Sequence, residues 1–333
     1  MPTEAGPVAV ISGSLTVADH LGGCKARWGI GRLSYIVPPG LYAIGAPDRD
    51  APVVVTANYK MSYDLVRRAL GRRNIWLLVL ETYGINVWCA AGKGTFGTGE
   101  LVRRIASSGL SRVVDHRRLL LPIMGASCVK ALEVKKRSGF EVRFATLRIG
   151  DLPAYLDNGM QADREMRELT FSFRERLVLT PIEMVGGMKS LAYAGLPLAL
   201  LAGFGGGVFS TQRSLAVFLL YGMALFCGTF LVPLLLPLIP GRMFAVKGAI
   251  VGSVCALLAG VSMGKFSVAG RLELAAMILM MGAISAFYAM NFTGSTPFTS
   301  PSGVRREMQR SLPVMAGAAL LGIVLLVMGM LLP

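Results

Sequence analysis

Cys89 is the residue in this 333-residue sequence whose neighbours best suit a sulfur ligand. It lies in Asn86-Val87-Trp88-Cys89-Ala90-Ala91-Gly92-Lys93, bracketed by Gly84 and Gly94. Asn86 is a good N-cap, and Val87–Lys93 gives about two turns before Gly94 stops them. The spacing therefore predicts a short helix with Cys89 in its first turn, where free N–H groups and the helix dipole favour an anionic sulfur. Helical spacing puts Asn86, Cys89, Ala90 and Lys93 on one face. That face offers one soft ligand between small side chains, which a large flat partner could approach closely. Lys93 could steady negative charge on that partner or bond a polar substituent.

Other readings stay open on the residues alone. Most lone cysteines are core residues, and periodicity does not separate that fate from a ligand. Gly92-x-Gly94-x-x-Gly97 precedes a helix, and Asp115 lies 18 residues further on, as in a dinucleotide site. It starts ten residues after its strand instead of at the strand's end, which breaks that geometry. A Walker A loop fails twice, with Val87 in place of its first glycine and Gly94 in place of Ser/Thr. The five cysteines (Cys24, Cys89, Cys128, Cys227, Cys255) are widely spaced with no CxxC pair. That argues against a disulfide framework, a zinc site or an iron–sulfur cluster in this chain.

The elements that must position Cys89 alternate between strand and helix. Val53–Asn58 reads as a buried strand, and Ser62–Leu70 as a helix ending at Gly71. Ile75–Glu81 is the next strand, Glu100–Ser108 a helix and Leu119–Ile123 a third strand. Ser127–Arg137 follows as a helix and Glu141–Ala145 as a fourth strand. This order predicts parallel βα units in an α/β Rossmann-like sheet, with ligands beyond the carboxyl ends of the strands. Thr56–Lys60 and the segment after Glu81 occupy that place.

Composition then divides the chain. Hydrophobic residues make up 53% and charged residues 16%, with 34 Lys/Arg against 19 Asp/Glu. All but eight of the basic and two of the acidic residues precede Ser190. A purely soluble enzyme, a disordered chain and a secreted disulfide scaffold are excluded. Met1–Ser14 lacks a basic n-region and a long apolar core, so no cleaved signal peptide is expected. Five runs of about 20 residues can span a bilayer: Ser190–Phe209, Ser214–Ile239, Phe244–Met263, Leu272–Met290 and Leu312–Leu332. The expected division is residues 1–165 as a cytoplasmic α/β domain, 166–189 as a basic linker, and 190–333 as an all-α five-helix transmembrane domain.

Eight loop cations fall on the side of the large N-terminal part and three on the other, which predicts an N-in protein of the inner (cytoplasmic) membrane. The basic surface suits an anionic inner leaflet, so membrane lipids and not nucleic acid are its expected partners. No ionisable residue lies near mid-membrane, which disfavours ion-coupled transport. Asn291–Ser311 is expected to be a long cytoplasmic loop whose hydroxyls could cover a cofactor.

At Asn86–Lys93 the chain resembles the signature of the membrane-bound corrinoid protein that methylates mercury in anaerobes. The resemblance extends from Ala26-Arg27-Trp28-Gly29 through Pro38-Pro39-Gly40-Leu41-Tyr42 and Thr56-Ala57-Asn58-Tyr59-Lys60 to Asp151-Leu152-Pro153. More distantly the chain is similar to the large subunit of the corrinoid iron–sulfur protein of acetyl-CoA metabolism. After Pro122 this chain has Ala126-Ser127-Cys128 and Leu132 where relatives tend to have glycines and a histidine. His20 precedes Gly23 by three, but Ala18 replaces the aspartate of the Asp-x-His-x-x-Gly corrinoid motif, which argues against histidine ligation of cobalt.

The resemblance implies a cobalamin-type corrinoid, base-off, with Cys89 thiolate as the lower axial ligand of cobalt. The residues expected around it are Thr56, Asn58, Gly84, Asn86, Val87, Trp88, Ala90, Ala91, Gly92, Lys93, Gly94 and Thr95. It also implies a corrinoid-dependent methyltransferase that passes a methyl group from methyl–cobalt(III) to mercury(II), giving methylmercury. Mercury(II) is an electrophile and needs a methyl with carbanion character, which anionic sulfur below cobalt favours. The same donation makes reduction harder. The implied partners are therefore a ferredoxin-like electron donor with two [4Fe–4S] clusters and a methyl-folate methyltransferase. A corrinoid methyl carrier of one-carbon metabolism and a membrane protein with a dinucleotide-binding domain remain the alternatives.

Overall fold

A computed structural model of the chain describes residues 1–204, 208–265, 267–296 and 298–331. Residues 205–207 of the first expected span, and 332 at the end of the last, lie outside the described residues. Two compact units meet the eye, Met1–Thr170 and Phe171–Pro333.

The first unit is a six-stranded sheet with helices on both faces. Its strands are β1 (Ala9–Ile11), β2 (Gly40–Ile44), β3 (Val53–Ala57), β4 (Ile75–Leu80), β5 (Arg118–Leu121) and β6 (Glu141–Phe144). They lie in the order β1-β2-β4-β3-β5-β6. The run β4-β3-β5-β6 is parallel throughout, as the alternation of elements predicts. The sheet as a whole is mixed, because a strand that the sequence reading did not include, β2, runs antiparallel to β4, pairing Gly40 with Val79 and Ile44 with Ile75. β1 extends that edge in parallel with β2. β1 has three residues and β2 five, and no helix separates β2 from β3, so the run of apolar strands and helices does not announce this edge.

Why β3 and β4 form the centre follows from their sequences. Val53-Val54-Val55-Thr56-Ala57 and Ile75-Trp76-Leu77-Leu78-Val79-Leu80 are buried at every position. Continuous apolar runs of this kind belong to strands covered on both faces. Alternation then sorts them into two cores. Val53, Val55, Trp76, Leu78, Leu80, Leu119 and Leu121 join one cluster, with Leu101 and Ile105 of helix α4 (Thr98–Ser107) and Val134 of α6 (Ala131–Ser138). Val54, Leu77, Val79 and Leu120 join the other, with Val66 and Leu70 of α2 (Lys60–Leu70) and Tyr155 of α7 (Leu152–Asp157). Helix α1 (Val17–Arg27) is fixed to α2 by ions: Asp19 and Asp64 share Lys60 and Arg67, and Arg67 is itself buried. Two further short helices, α3 (Val87–Lys93) and α5 (Leu110–Val113), complete the unit.

Among its described residues the second unit holds five helices long and apolar enough to cross a membrane: Phe173–Gly203, Thr211–Leu235, Phe244–Ser262, Val268–Ser295 and Ser302–Gly329. The first begins well before Ser190, so most of the segment expected as a basic linker is helix. Arg174, Glu175 and Arg176 sit in its first turn, and Ser172 with Glu175 forms a capping box. The polarity there marks a helix start instead of a linker.

A second correction concerns Asn291–Ser311. Its first residues close the preceding helix through a tight turn, Phe292–Ser295, and Pro301 opens a helix that runs to Leu331. Proline at a helix start and the Ser300 hydroxyl accepting the Gly303 amide at 3.1 Å are start signals, which a reading for loops takes as breakers. The hydroxyls are spent locally. Thr293 donates to Met290 O, Thr299 donates to Thr293 O, and Ser295 donates to Glu183. Pro297 of this segment lies outside the described residues.

Helices Phe244–Ser262 and Val268–Asn291 pack backbone to backbone. A Cβ at Gly248 would stand 2.6 Å from Ala286 Cα, and one at Gly252 would stand 2.5 Å from Met281 O. Small residues at this spacing allow the close approach on which helix pairs in lipid depend.

Candidate functional site

The helix Val87–Lys93 forms where the sequence places it. Asn86 is extended and its side chain accepts the Cys89 amide at 2.9 Å. Gly94 ends the helix in the left-handed region at φ 83°, its amide donating to Ala90 O and Ala91 O. Ala90 O also accepts the amides of Thr95 and Phe96, which folds the chain back under the helix. Thr95 is half-buried, and its hydroxyl donates to that same Ala90 O at 3.4 Å.

The face α3 presents differs from the expected one. Ala90 and Ala91 are buried, and Ala90 belongs to the core with Phe96. Cys89, Gly92, Lys93 and Gly94 are exposed, and Trp88 is 38% exposed. Neighbours along a helix are turned by about 100°, so a helix that buries Ala90 and Ala91 must turn Cys89 and Gly92 outward. Val87 is half-buried and packs on the core, as does Ile85 before it.

Thr56 and Asn58 do not reach the surface. Thr56 lies within β3 and is 2% exposed; Asn58 follows it and is fully buried. Asn58 acts on the loop instead. Its Oδ1 accepts the Thr82 amide at 3.1 Å, the Thr82 hydroxyl at 2.8 Å and the Gly84 amide at 3.2 Å. Its Nδ2 donates to Glu81 Oε1 at 2.6 Å, and that oxygen also accepts the Tyr83 amide. Tyr83 and Gly84 are both held at positive φ, 56° and 71°. A tyrosine in that region is rare and persists only where its surroundings fix it. Gly84 has no room for a Cβ, which would meet Leu33 O at 2.6 Å.

Glu100 is the second organiser. From the first turn of α4 its buried carboxylate accepts the Glu81 amide at 2.8 Å and the Arg104 guanidinium at 2.8 Å, and it pairs with Arg103. Burial works against the charge, but that amide and the two arginines outweigh it and hold the Glu100 carboxyl below the usual range. Glu81, Thr82 and Glu100 were missed by sequence reasoning. Only Glu100 gave a signal, through arginines three and four residues on.

On the remaining side, the turn Ile123–Gly125 packs against α3, and a Cβ at Gly125 would stand 2.7 Å from Phe96. Thr98 ties the two connections together, accepting the Lys130 amide at 2.8 Å. The histidines take no part. His116 bonds Ala51 O and the Arg118 amide, and His20 is exposed on α1.

The surface around Cys89 fits a corrinoid. Gly92 is the penultimate residue of α3, within a helix, where glycine costs up to about 1 kcal/mol relative to alanine. Nothing lies within 4 Å of where its Cβ would be, so packing within the chain does not demand it. The side of α3 that carries Cys89 and Gly92 is therefore open to a flat group. Among the described residues no group of three or more His, Cys, Asp or Glu could hold a metal ion.

Residues 32–149 match the family model described as CO dehydrogenase/acetyl-CoA synthase delta subunit. The acetyl-CoA decarbonylase/synthase complex subunit gamma of Methanopyrus kandleri is 36% identical over 124 residues, which is 36% of this chain and 26% of that protein. The subunits of the same name from Methanocaldococcus jannaschii and Archaeoglobus fulgidus are 34% identical over 101 residues and 32% over 123. These cover 30% and 36% of this chain, and 21% and 26% of the relatives. The chain is thus related to these gamma subunits, spanning about a quarter of their length.

Proposed function

We propose that this chain is a membrane-anchored corrinoid methyltransferase that takes a cobalt-bound methyl group to mercury(II). The observation that carries the reading is the exposure of Cys89 beside the open Gly92 surface, within the octapeptide Asn86–Lys93. Kinship with the acetyl-CoA decarbonylase/synthase gamma subunits supports a corrinoid of the one-carbon kind.

Each residue then has a task. Cys89 would hold the cobalt through its thiolate, and its amide's bond to Asn86 places the residue in the helix's first turn. Gly92 and Gly94 keep the approach flat, and Lys93 on the same exposed side offers a cation to polar substituents. Trp88 gives an aromatic edge at the rim. Asn58 and Glu100 act only through the backbone of residues 81–84, which they hold in place. A bound corrinoid would supply a methyl group able to leave with its bonding electrons, which an electrophile such as mercury(II) requires. The widely spaced cysteines carry no cluster motif, so electrons come from a separate ferredoxin-like protein with two [4Fe–4S] clusters. The methyl group comes from a methyl-folate methyltransferase. The five apolar helices anchor the chain in the cytoplasmic membrane with the α/β unit inside.

A second reading, a corrinoid methyl carrier of one-carbon metabolism, is favoured by the names of the relatives. One experiment separates the two. The full chain, purified anaerobically in detergent and loaded with methylcobalamin, is given mercury(II) and its products are measured. Methylmercury formed by the wild type and lost in Cys89→Ala supports the first reading. A thiolate-ligated corrinoid that leaves mercury(II) unmethylated supports the second, and a chain that takes up no cobalt ends both.

A further inference from the structure

Segment Arg32–Val37 crosses the carboxyl end of β3, next to the loop that leads to α3. Val37 donates its amide to Asn58 O, Lys60 donates to Tyr35 O, and Ile36 pairs with Tyr59 in an antiparallel bridge. Gly84 lies against Leu33 and Ile36. Two polar atoms here are buried and unmet: the Tyr59 hydroxyl and Arg27 Nε have no hydrogen-bond partner among the described residues. Tyr59 itself is 3% exposed.

The neighbours make the omission pointed. Arg32 stands with its guanidinium 5.5 Å from the centre of the Tyr59 ring, and its one hydrogen bond is a long 3.3 Å contact to Ala26 O. Among the described residues no carboxylate pairs with Arg27 or Arg32, although Lys60 and Arg67 nearby share Asp19 and Asp64. Burial pushes the Tyr59 phenol up, while the charges of Arg32 and Arg27 pull it the other way, so both cations act on this hydroxyl. The result is a set of donors without an acceptor. Buried donors are nearly always satisfied, because leaving one unmet costs the full loss of its hydration. Phenylalanine would fill the Tyr59 site without that cost.

We propose that Arg27, Arg32 and Tyr59 form a phosphate subsite, and that its occupant is the phosphodiester of the corrinoid's nucleotide tail. This rests on the corrinoid reading above. A corrinoid whose base has left cobalt must lodge that tail elsewhere, and its single anionic phosphate needs guanidinium and hydroxyl donors. The donors lie beyond the carboxyl ends of parallel strands, where α/β sheets bind their ligands.

The test compares two corrinoids on the full chain in detergent, followed by absorbance titration: cobalamin, and cobinamide, which lacks the nucleotide and its phosphate. Tyr59→Phe and Arg27→Gln should each weaken cobalamin binding by about tenfold or more and leave cobinamide binding unchanged. The ligand-free Tyr59→Phe protein should melt no lower than wild type, since its hydroxyl has no partner to lose. Equal loss of both corrinoids, or wild-type affinity for cobalamin in both variants, overturns the subsite. If inorganic phosphate binds the wild type but not the variants while cobalamin binding is unaltered, the donors serve a free anion and the tail assignment falls. A wild type that binds neither corrinoid instead overturns the corrinoid reading, and this inference with it.

Discussion

The side-chain oxygen of Asn86 accepts the amide of Cys89 at 2.9 Å, so the cap and the sulfur-bearing residue belong to one turn. Asn86→Ala is expected to cost about 1 kcal/mol of stability, read from urea unfolding, and to weaken corrinoid binding. Cys89→Ala should abolish both methyl transfer and the cobalt–thiolate absorption. Cys24→Ala, Cys227→Ala and Cys255→Ala should keep most of the activity. Full methylation by the Cys89→Ala protein would sink the ligand assignment.

Ala90 and Gly92 separate packing from ligand approach. Ala90 is fully buried beside Phe96, so Ala90→Leu overpacks the core and should lower stability by about 1–3 kcal/mol. Gly92 faces open space, so Gly92→Leu should leave the melting temperature within a few degrees of wild type while corrinoid binding falls. If Gly92→Leu binds corrinoid normally, the open surface is not where the ligand lies.

Acid should loosen the α1–α2 contact. Burial raises the Asp19 carboxyl, but hydrogen bonds from Lys60, the Thr16 amide and Arg67 outweigh it and hold that carboxyl well below the usual range. A depressed carboxylate contributes its full stability above its unfolded value, about 3.9, and loses it as pH falls towards the folded value. Asp19→Asn should therefore be less stable than wild type at pH 7, by about 2–3 kcal/mol. The gap should begin to narrow below about pH 4 and close further as pH falls towards the folded value. A constant gap in urea midpoint from pH 7 to pH 3 would count against this account.

In the second unit, Gly252→Leu would drive a side chain into Met281 O and Ser285, so the two helices must part. A stability loss of about 3 kcal/mol or more is expected, measured as thermal unfolding in detergent. Gly317 has nothing within 4 Å of its Cβ position, and Gly317→Leu serves as the tolerated control.

The borders of α3 were legible because a cap and a left-handed glycine are local chemistry, decided by Asn86 and Gly94 alone. The parallel core strands were legible for a similar reason, since β3 and β4 are apolar from end to end. Which face of α3 turns inward was not. Cys89 and Ala90 are both small, and the choice is made by Phe96 and the core beneath, across the fold. The short β2 strand escaped notice because its partner, β4, lies more than 30 residues on. Asn58 shows the same limit. Its position after a strand suggested a ligand contact, whereas it spends its side chain on residues 81–84. At the other end of the chain, the apolar runs announced five long helices, but the turn at Ser172 and the start at Pro301 were hidden by residues that also make loops.

Of α3, only Ala90 and Ala91 are buried. Two methyl groups contribute roughly 1.5 kcal/mol of burial, and seven residues cannot sustain a helix in water by themselves. The segment that carries the sulfur is therefore among the first parts of the sheet domain to open, well before β3 or β4 lets go. A metal bound at Cys89, as proposed above, would add the ligand's free energy to that opening. Amide exchange along Ala90–Lys93 thus becomes a gauge of loading, fast in the bare chain and slowed in proportion to occupancy, while the central strands hardly register the difference.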